Sequence, residues 1–235
     1  MRIIMKVSGE SLKNKENISS EMLEILLKDV KELKKANHEI VIVLGGGNFW
    51  RGRNDLDISA PVSDQVGMMA TVMNAVSVND YLNNNGIISE CYSAFAVEGI
   101  AKKYHYHDVV KKLNNKEVIV LGGGLGNPNF STDMVTVEKA LELKADMIIM
   151  AKSIDGIYDK DPKKEGAIKY SQLSHEELLT NQIASGVDKL GVIDFEAMAA
   201  LVKHKMPLYL YNAKDSEGLT KFINGQYDGT MVITK

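Results

Sequence analysis

Residues 40–48 read Ile-Val-Ile-Val-Leu-Gly-Gly-Gly-Asn, and residues 118–124 read Val-Ile-Val-Leu-Gly-Gly-Gly. A short unbroken apolar run, rich in β-branched residues, suits a strand buried on both faces of a parallel sheet. Each run stops at three glycines. Upstream, Ile3–Val7 predicts a first strand that runs into Ser8-Gly9-Glu10. Residues 19–36 carry a helical period, with Met22, Leu23, Leu26, Leu27, Val30 and Leu33 on one face and Ser19 or Ser20 as the cap. Helical patterns recur at 64–85, 133–143 and 194–204, and strand patterns at 87–93, 147–150, 208–211 and 232–233. This alternation predicts an α/β fold, with a mostly parallel central sheet covered by helices on both faces. No linker, charge block or low-complexity segment interrupts it, so residues 1–235 read as a single domain with two lobes meeting near residue 150.

The chain is 45% hydrophobic and 25% charged, with 19 Gly and 4 Pro, which excludes collagen-like, low-complexity and largely disordered classes. At this size folding buries roughly 70–75% of the unfolded surface, so no disulfide or metal staple is needed. The balance of 28 basic against 31 acidic residues supplies no electrostatic argument for nucleic acid or an anionic membrane as partner. Cys91 is the only cysteine, which excludes an intrachain disulfide and a cysteine-rich zinc site and fits a reducing compartment. The apolar run within Met1–Lys6 is too short for a signal peptide, and no stretch approaches ~20 apolar residues, so the expected location is the cytoplasm.

In open parallel sheets, ligands bind beyond the carboxyl ends of the strands. Here those ends carry Lys6-Val7-Ser8-Gly9, Gly45-Gly46-Gly47-Asn48 and Gly122-Gly123-Gly124-Leu125-Gly126-Asn127. Glycine there permits positive φ and lets backbone N–H groups converge, and a helix start behind adds partial positive charge. A single glycine turn is equally well a plain tight turn, but three unusual strand ends together point to polyphosphate. The Walker A loop is excluded, because no Gly-Lys-Ser or Gly-Lys-Thr occurs. Asn127 stands where a dinucleotide fingerprint needs its last glycine.

Individual residues carry the chemistry. Lys6, held by the first strand beside glycine N–H groups, suits neutralising a transferring phosphoryl group. The chain has three arginines, and two of them, Arg51 and Arg53, share the loop after Gly47; Arg51, nearer the turn, is the expected phosphate ligand and Arg53 a solvated one. Asp64, expected to begin a helix, is either an acid favoured by the helix dipole or an acceptor for a sugar hydroxyl. In Asn127–Asp133, Thr132 or Asp133 is the expected helix cap, and Asp133 is placed to orient Lys6 or to hold Mg²⁺ through water. No direct protein ligand to a metal is assigned. Asp155–Pro162 lacks the calcium-loop pattern and reads as a turn that cradles an adenine, with Tyr158 stacking or packing and Asp161 accepting a hydrogen bond. His105 and His107 would share one face of a strand but lack a third ligand, so all five histidines are read as structural or solvated.

Six segments together resemble the bacterial uridylate kinase (UMP kinase) family of the amino acid kinase superfamily: KVSGESL at 6–12, GGGNFWRGR at 45–53, DQVGMMATVMNAV at 64–76, GGGLGNPNFSTD at 122–133, IDGIYDKDP at 154–162 and VIDFEA at 192–197. They occur in the family's order and cover essentially the whole chain. The resemblance implies the amino acid kinase fold, a three-layer sandwich with an acceptor-binding lobe over about 1–150 and an ATP-binding lobe over about 151–235. It implies transfer of the γ-phosphoryl group of ATP to UMP, with Mg²⁺ accompanying ATP. By position, Lys6, Val7, Ser8 and Gly9 match the ATP phosphate loop, Gly47 and Arg51 further ATP contacts, and Gly46 a UMP contact. Asp64 matches the UMP ribose acceptor. Leu125, Gly126, Asn127, Pro128, Asn129, Phe130, Ser131 and Thr132 match the loop around the UMP base and phosphate, and Asp133 the catalytic organiser. Lys152, Tyr158 and Asp161 stand where the family contacts ATP.

The sequence departs from the family in two places. The family's usual Lys-Ala-Thr-Lys is Met150-Ala151-Lys152-Ser153 here, so either Lys152 replaces a phosphate-facing lysine or that charge comes from elsewhere. Asn129 stands where an aromatic residue is common. The resemblance further implies a homohexamer, inhibition by UTP and, in some members, activation by GTP. Rival readings are an acetylglutamate or isopentenyl phosphate kinase, and a nucleotide sensor without turnover. The Asp64 helix and the Asn127–Asp133 loop weigh against the first pair, and intact Lys6 and Asp133 against the second.

Overall fold

The computed structural model describes residues 1–14, 17–52, 57–185 and 192–234, so Arg53 lies outside the described residues. In the first half, β1 (Arg2–Val7) leads through a short α1 (Gly9–Leu12) to α2 (Ser20–Lys35), β2 (Glu39–Leu44), α3 (Ala60–Asn84), β3 (Ser89–Ser93), β4 (Lys102–Lys103), α4 (Tyr106–Asn114), β5 (Val118–Gly122) and α5 (Thr132–Glu142). The second half comprises β6 (Met147–Lys152), β7 (Ile157–Tyr158), β8 (Lys169–Tyr170), β9 (Gln172–Ser174), α6 (His175–Ser185), α7 (Phe195–His204), β10 (Leu208–Asn212), α8 (Gly218–Ile223) and β11 (Thr230–Ile233).

Nine of these strands form one sheet in the order β4-β3-β5-β2-β1-β6-β10-β11-β9. Its pairings are parallel except β10 with β11. From β1 the chain builds outward on one side through β2, then returns to lay β6 on the other. β1 and β6 therefore flank the point where strand order reverses, the usual crevice for a ligand in such sheets.

Alternation along the strands sorts side chains into two cores. Ile3, Met5, Ile42, Ile149 and Tyr211 pack with α2, α3 and α8 on one face. Ile4, Val41, Ile119, Ile148, Met150 and Leu210 pack with α4, α5 and α7 on the other. Lys6 shares the parity of Ile4, and Lys152 that of Ile148 and Met150. Both lysines therefore leave adjacent strands on the α5 face, with Lys6 paired in register to Met150.

The expected strands and long helices are present, with instructive shifts. Ser19 caps α2, its side chain accepting from Met22 N–H. Helix α3 begins at Ala60, with Pro61 in the first turn where its missing N–H costs nothing, so Asp64 lies in the second turn and does not begin the helix. Residues 105–107 are not a strand: His105 precedes α4 and His107 lies on it, both exposed. Helices α4 and α6 escaped the reading of periodicity; in α4 only Val109 and Leu113 are buried. No described helix is long and apolar enough to cross a membrane.

Candidate active site

The turns that close the strand ends differ in how they use glycine. Gly123, Gly124 and Gly126 have φ of +77°, +61° and +83°, as expected, because that backbone is strained for residues with a Cβ. Gly45, Gly46 and Gly47 do not have positive φ, contrary to expectation. They answer to close approach instead. A Cβ on Gly9 would lie 2.4 Å from Gly47 N, and one on Gly46 would lie 2.9 Å from both Ala70 Cβ and Gly67 O. The end of β1, the end of β2 and helix α3 thus meet backbone to backbone.

Above this junction Lys6 Nζ lies 3.0 Å from Asp133 Oδ1, and Lys152 Nζ lies 2.6 Å from Asp133 Oδ2. The three are 7, 8 and 9% exposed for Lys6, Asp133 and Lys152, so the ion pairs are buried and screened little by water. Burial pushes the Asp133 carboxyl up, but the charges of Lys6 and Lys152 outweigh it and hold it at about 2. Burial lowers Lys152 to about 8; Lys6 beside it adds to the fall and Asp133 opposes it. Lys152 Nζ also donates to Val192 O. Asp133 Oδ1 is buried, faces the Lys6 ammonium across this ion pair, and accepts no hydrogen bond from any other described residue.

The cap of α5 is Ser131, whose side chain accepts from Met134 N–H at 3.0 Å, and neither Thr132 nor Asp133 plays that part. Ser131 Oγ in turn donates to Asp194 Oδ2, while Asp194 Oδ1 caps α7 by accepting from Ala197 N–H at 2.9 Å. One hydroxyl thereby ties the N-termini of two helices together. Asp194, Val192 and Glu10 were not singled out from the sequence. Asp194 was legible only as the start of a helix, and nothing local signals its approach to Asp133, to which its N–H points at 3.4 Å.

Two cavities border this cluster. A larger one of about 490 Å³ is lined by Lys6, Ser8, Gly9, Glu10, Gly45–Gly47, Thr132, Lys152–Ile154, Asp161, Pro162 and Val192. A smaller one of about 220 Å³ is lined by Gly46, Gly47, Trp50, Asp64, Gly67, Met68, Thr71, Gly124, Asn127–Thr132 and Val135, among others. They share Gly46, Gly47 and Thr132. The structure thus brings together Lys6, Ser8, Gly9, Gly47, Lys152 and Asp161 on one side. On the other it gathers Gly46, Asp64, Asn127, Pro128, Asn129, Phe130, Ser131 and Thr132. Asp64 Oδ2 accepts from Asn129 N–H at 2.7 Å, pinning that loop to α3.

Other candidates stand apart from these walls. Val7 is buried in the core, and its side chain lines neither cavity. Leu125 faces a separate cavity of about 100 Å³, and Gly126 lines neither of the two main ones. Tyr158 does not line the larger cavity; its hydroxyl donates to Asp155 Oδ1 at 2.9 Å. Arg51 Nη2 pairs with Glu10 Oε1 at 2.8 Å at the rim, both side chains half exposed.

The sheet order, the buried lysine–aspartate–lysine cluster and the paired cavities define a phosphotransferase crevice, and the sequence pattern of the amino acid kinase family matches residues 1–212. The chain belongs to that family and has its fold. It is 34% identical over 236 residues to a uridylate kinase of Actinobacillus pleuropneumoniae serotype 5b (strain L20), covering 98% of this chain and 97% of that protein. It is also similar to the crystal structure of UMP kinase from Ureaplasma parvum, with a TM-score of 0.90 and 28% identity, covering 99% of this chain and 98% of that one. The crystal structure of UMP kinase from Bacillus anthracis matches with a TM-score of 0.90 and 25% identity, covering 99% of this chain and 95% of that one.

Proposed function

We propose that this chain is a UMP kinase, with ATP in the larger cavity, UMP in the smaller, and the phosphoryl group crossing at their common border. The observation that carries this reading is the shared wall of Gly46, Gly47 and Thr132 beside Lys6, Asp133 and Lys152. A phosphate oxygen of UMP attacks the γ-phosphorus of ATP, the bond to the bridging oxygen breaks, and UDP and ADP result. The acceptor oxygen is already anionic, so no general base is required. The work is to hold two polyanions in line and to offset their repulsion.

In this reading Lys6 meets the transferring group, Lys152 supports it from the ATP side, and Asp133 keeps both ammonium groups in place. Lys152 thereby replaces the phosphate-facing lysine of the usual family segment. Ser8, Gly9, Gly47 and Arg51 receive the ATP phosphates, with Val7 contributing through its backbone, while Tyr158 and Asp161 serve the adenosine end. Arg51 would leave Glu10 for phosphate, a bidentate partner of greater charge. Asp64 retains accepting capacity for a ribose hydroxyl beside its bond to Asn129, and Gly46 and residues 125–132 surround the uridylate. The open capacity of Asp133 Oδ1 fits a water carried by Mg²⁺. When bound with ATP, Mg²⁺ neutralises phosphate charge.

The acceptor-side lobe over about 1–150 and the ATP-side lobe over about 151–235 follow the same division, with the phosphate end of ATP reaching across to Lys6–Gly9. Val62, Val66, Met69 and Met73 form an exposed apolar stripe along α3 at helical spacing, each 37–50% exposed, which supports self-association and, with the family resemblance, a homohexamer. UTP, a uridine nucleotide carrying a triphosphate, is the expected inhibitor. The place of action is the cytoplasm, in pyrimidine nucleotide synthesis.

A coupled assay of ADP release across UMP, CMP, acetylglutamate and carbamate tests the reading. Turnover with UMP well above the others is expected. Preference for an acid acceptor, or ATP binding with no turnover on any acceptor, would overturn it.

A further inference from the structure

Helix α3 passes both triple-glycine turns, and two polar side chains one helical turn apart on it each reach one of them. Thr71 Oγ1 accepts from Gly123 N–H at 2.7 Å and donates to Met68 O at 2.7 Å. Asn74, fully buried, donates to Gly45 O at 2.6 Å and exchanges hydrogen bonds of 2.7 and 2.9 Å with the Asn48 side chain. Asn48 spends its remaining N–H on Asn17 O at 2.9 Å. The donors of both amides are therefore used in full, inside the protein, where an unmatched one is costly.

The two turns leave the neighbouring strands β2 and β5. Their glycines carry no side chains of their own, so hydrogen bonds that hold these turns in place must reach their backbone from elsewhere. Packing alone would be met by apolar residues at 71 and 74. Buried polar groups there specify one geometry instead. We propose that Thr71 and Asn74 are positioning residues, a pair of pins through which one rigid helix sets the spacing of the two glycine turns around the acceptor cavity. The substrates in the test rest on the UMP kinase reading, while the pins themselves do not. The division of labour follows from the cavity walls. Gly124, in the turn that Thr71 holds, borders the smaller cavity and not the larger, whereas Gly46 and Gly47, in the turn that Asn74 holds, border both.

The test compares Thr71→Val, Thr71→Ser and Asn74→Ala in the full chain, by initial rates with each nucleotide varied and by amide hydrogen exchange at Gly123. Orphaning one buried N–H is worth about tenfold. Thr71→Val is therefore expected to raise KM for UMP about tenfold, to leave KM for ATP within about twofold, and to speed Gly123 exchange about tenfold. Thr71→Ser, which keeps the hydroxyl, should bring both values back to within about threefold of wild type. Asn74→Ala should raise both KM values. Because KM does not depend on the fraction of folded enzyme, a purely structural role would lower the melting temperature and leave KM in place. An unchanged KM for UMP or an unchanged Gly123 exchange rate in Thr71→Val overturns the proposal, as does a serine variant as impaired as the valine one. Should the wild-type chain fail to turn over UMP, the functional reading falls, and the Gly123 exchange still decides the pins.

Discussion

The turns at Gly45–Gly47 and Gly122–Gly124 are spelled alike and both are crowded, but only the second also bends through positive φ. The second needs glycine for backbone conformation at Gly123 and Gly124, both at positive φ, and for space at Gly122, where a Cβ would lie 2.8 Å from Val72 Cα. The first needs glycine for space, since the backbones of β1, β2 and α3 converge on it. Of the two main cavities, the second turn borders only the smaller; the first stands between both. A glycine triplet in a sequence therefore announces a constrained backbone without saying whether a dihedral or a neighbour imposes the constraint, and the two cases fail differently when a methyl group is added.

The largest expected effect comes from the residue that the first turn flanks. Lys6→Ala should lower kcat by about a thousandfold, the scale of losing one preorganised group that faces developing charge, with the chain still folded. Steady-state rates and circular dichroism check this, and retained turnover would show that the crevice works without its central cation. Next, Gly46→Ala should cost about 1–3 kcal/mol by overpacking against Ala70 and Gly67 O, and should impair both nucleotides. Asp64→Asn should follow, raising KM for UMP several-fold more than KM for ATP; equal changes would remove Asp64 from the acceptor side.

Lys152 makes the comparison sensitive to pH. With its pKa at about 8, kcat/KM should decline as pH rises through that value and the ammonium is lost. Between about 8 and the ordinary lysine value, the unfolded chain binds the proton more tightly than the folded one, so this group's contribution to stability rises with pH. The loss of activity there is therefore separable from unfolding. Lys152→Arg, always charged, should move the alkaline limb upward by a unit or more. Smallest of all, Gly124→Ala should cost about 1–2 kcal/mol through its dihedral alone, because an added Cβ finds ordinary contact with Met68 at 3.5 Å. The expected reading is a fall of a few degrees in melting temperature. A larger fall than that of Gly46→Ala would reverse the ranking of the two turns.

Much of the site was visible in the letters. Lys6, Asp133 and the two glycine runs stand out because glycine clusters, a strand-end lysine and a polar loop before a helix carry local signals, whereas Arg51, marked by the rarity of arginine, lines neither main cavity. The start of α3 does not stand out, because Ser59 and Pro61 resemble loop residues until the helix is known. The cap of α5 fell to Ser131 because Ser, Thr and Asp in succession are all competent caps, and only backbone geometry selects one.

The alternation of strands and helices, the positions of the turns and the chemistry at their tips are legible in the amino-acid order alone. Strand periodicity, glycine and charge act over a few residues, and a chain declares them locally. It takes the folded sheet to make Lys6 and Lys152, on strands far apart in sequence, project from the same face onto one carboxylate. The fold alone ties Ser131 to Asp194 and places Thr71 and Asn74 against the two turns. Such contacts depend on strand order, register and the crossing of α3, which arise from burying two cores at once and leave no mark on neighbouring residues.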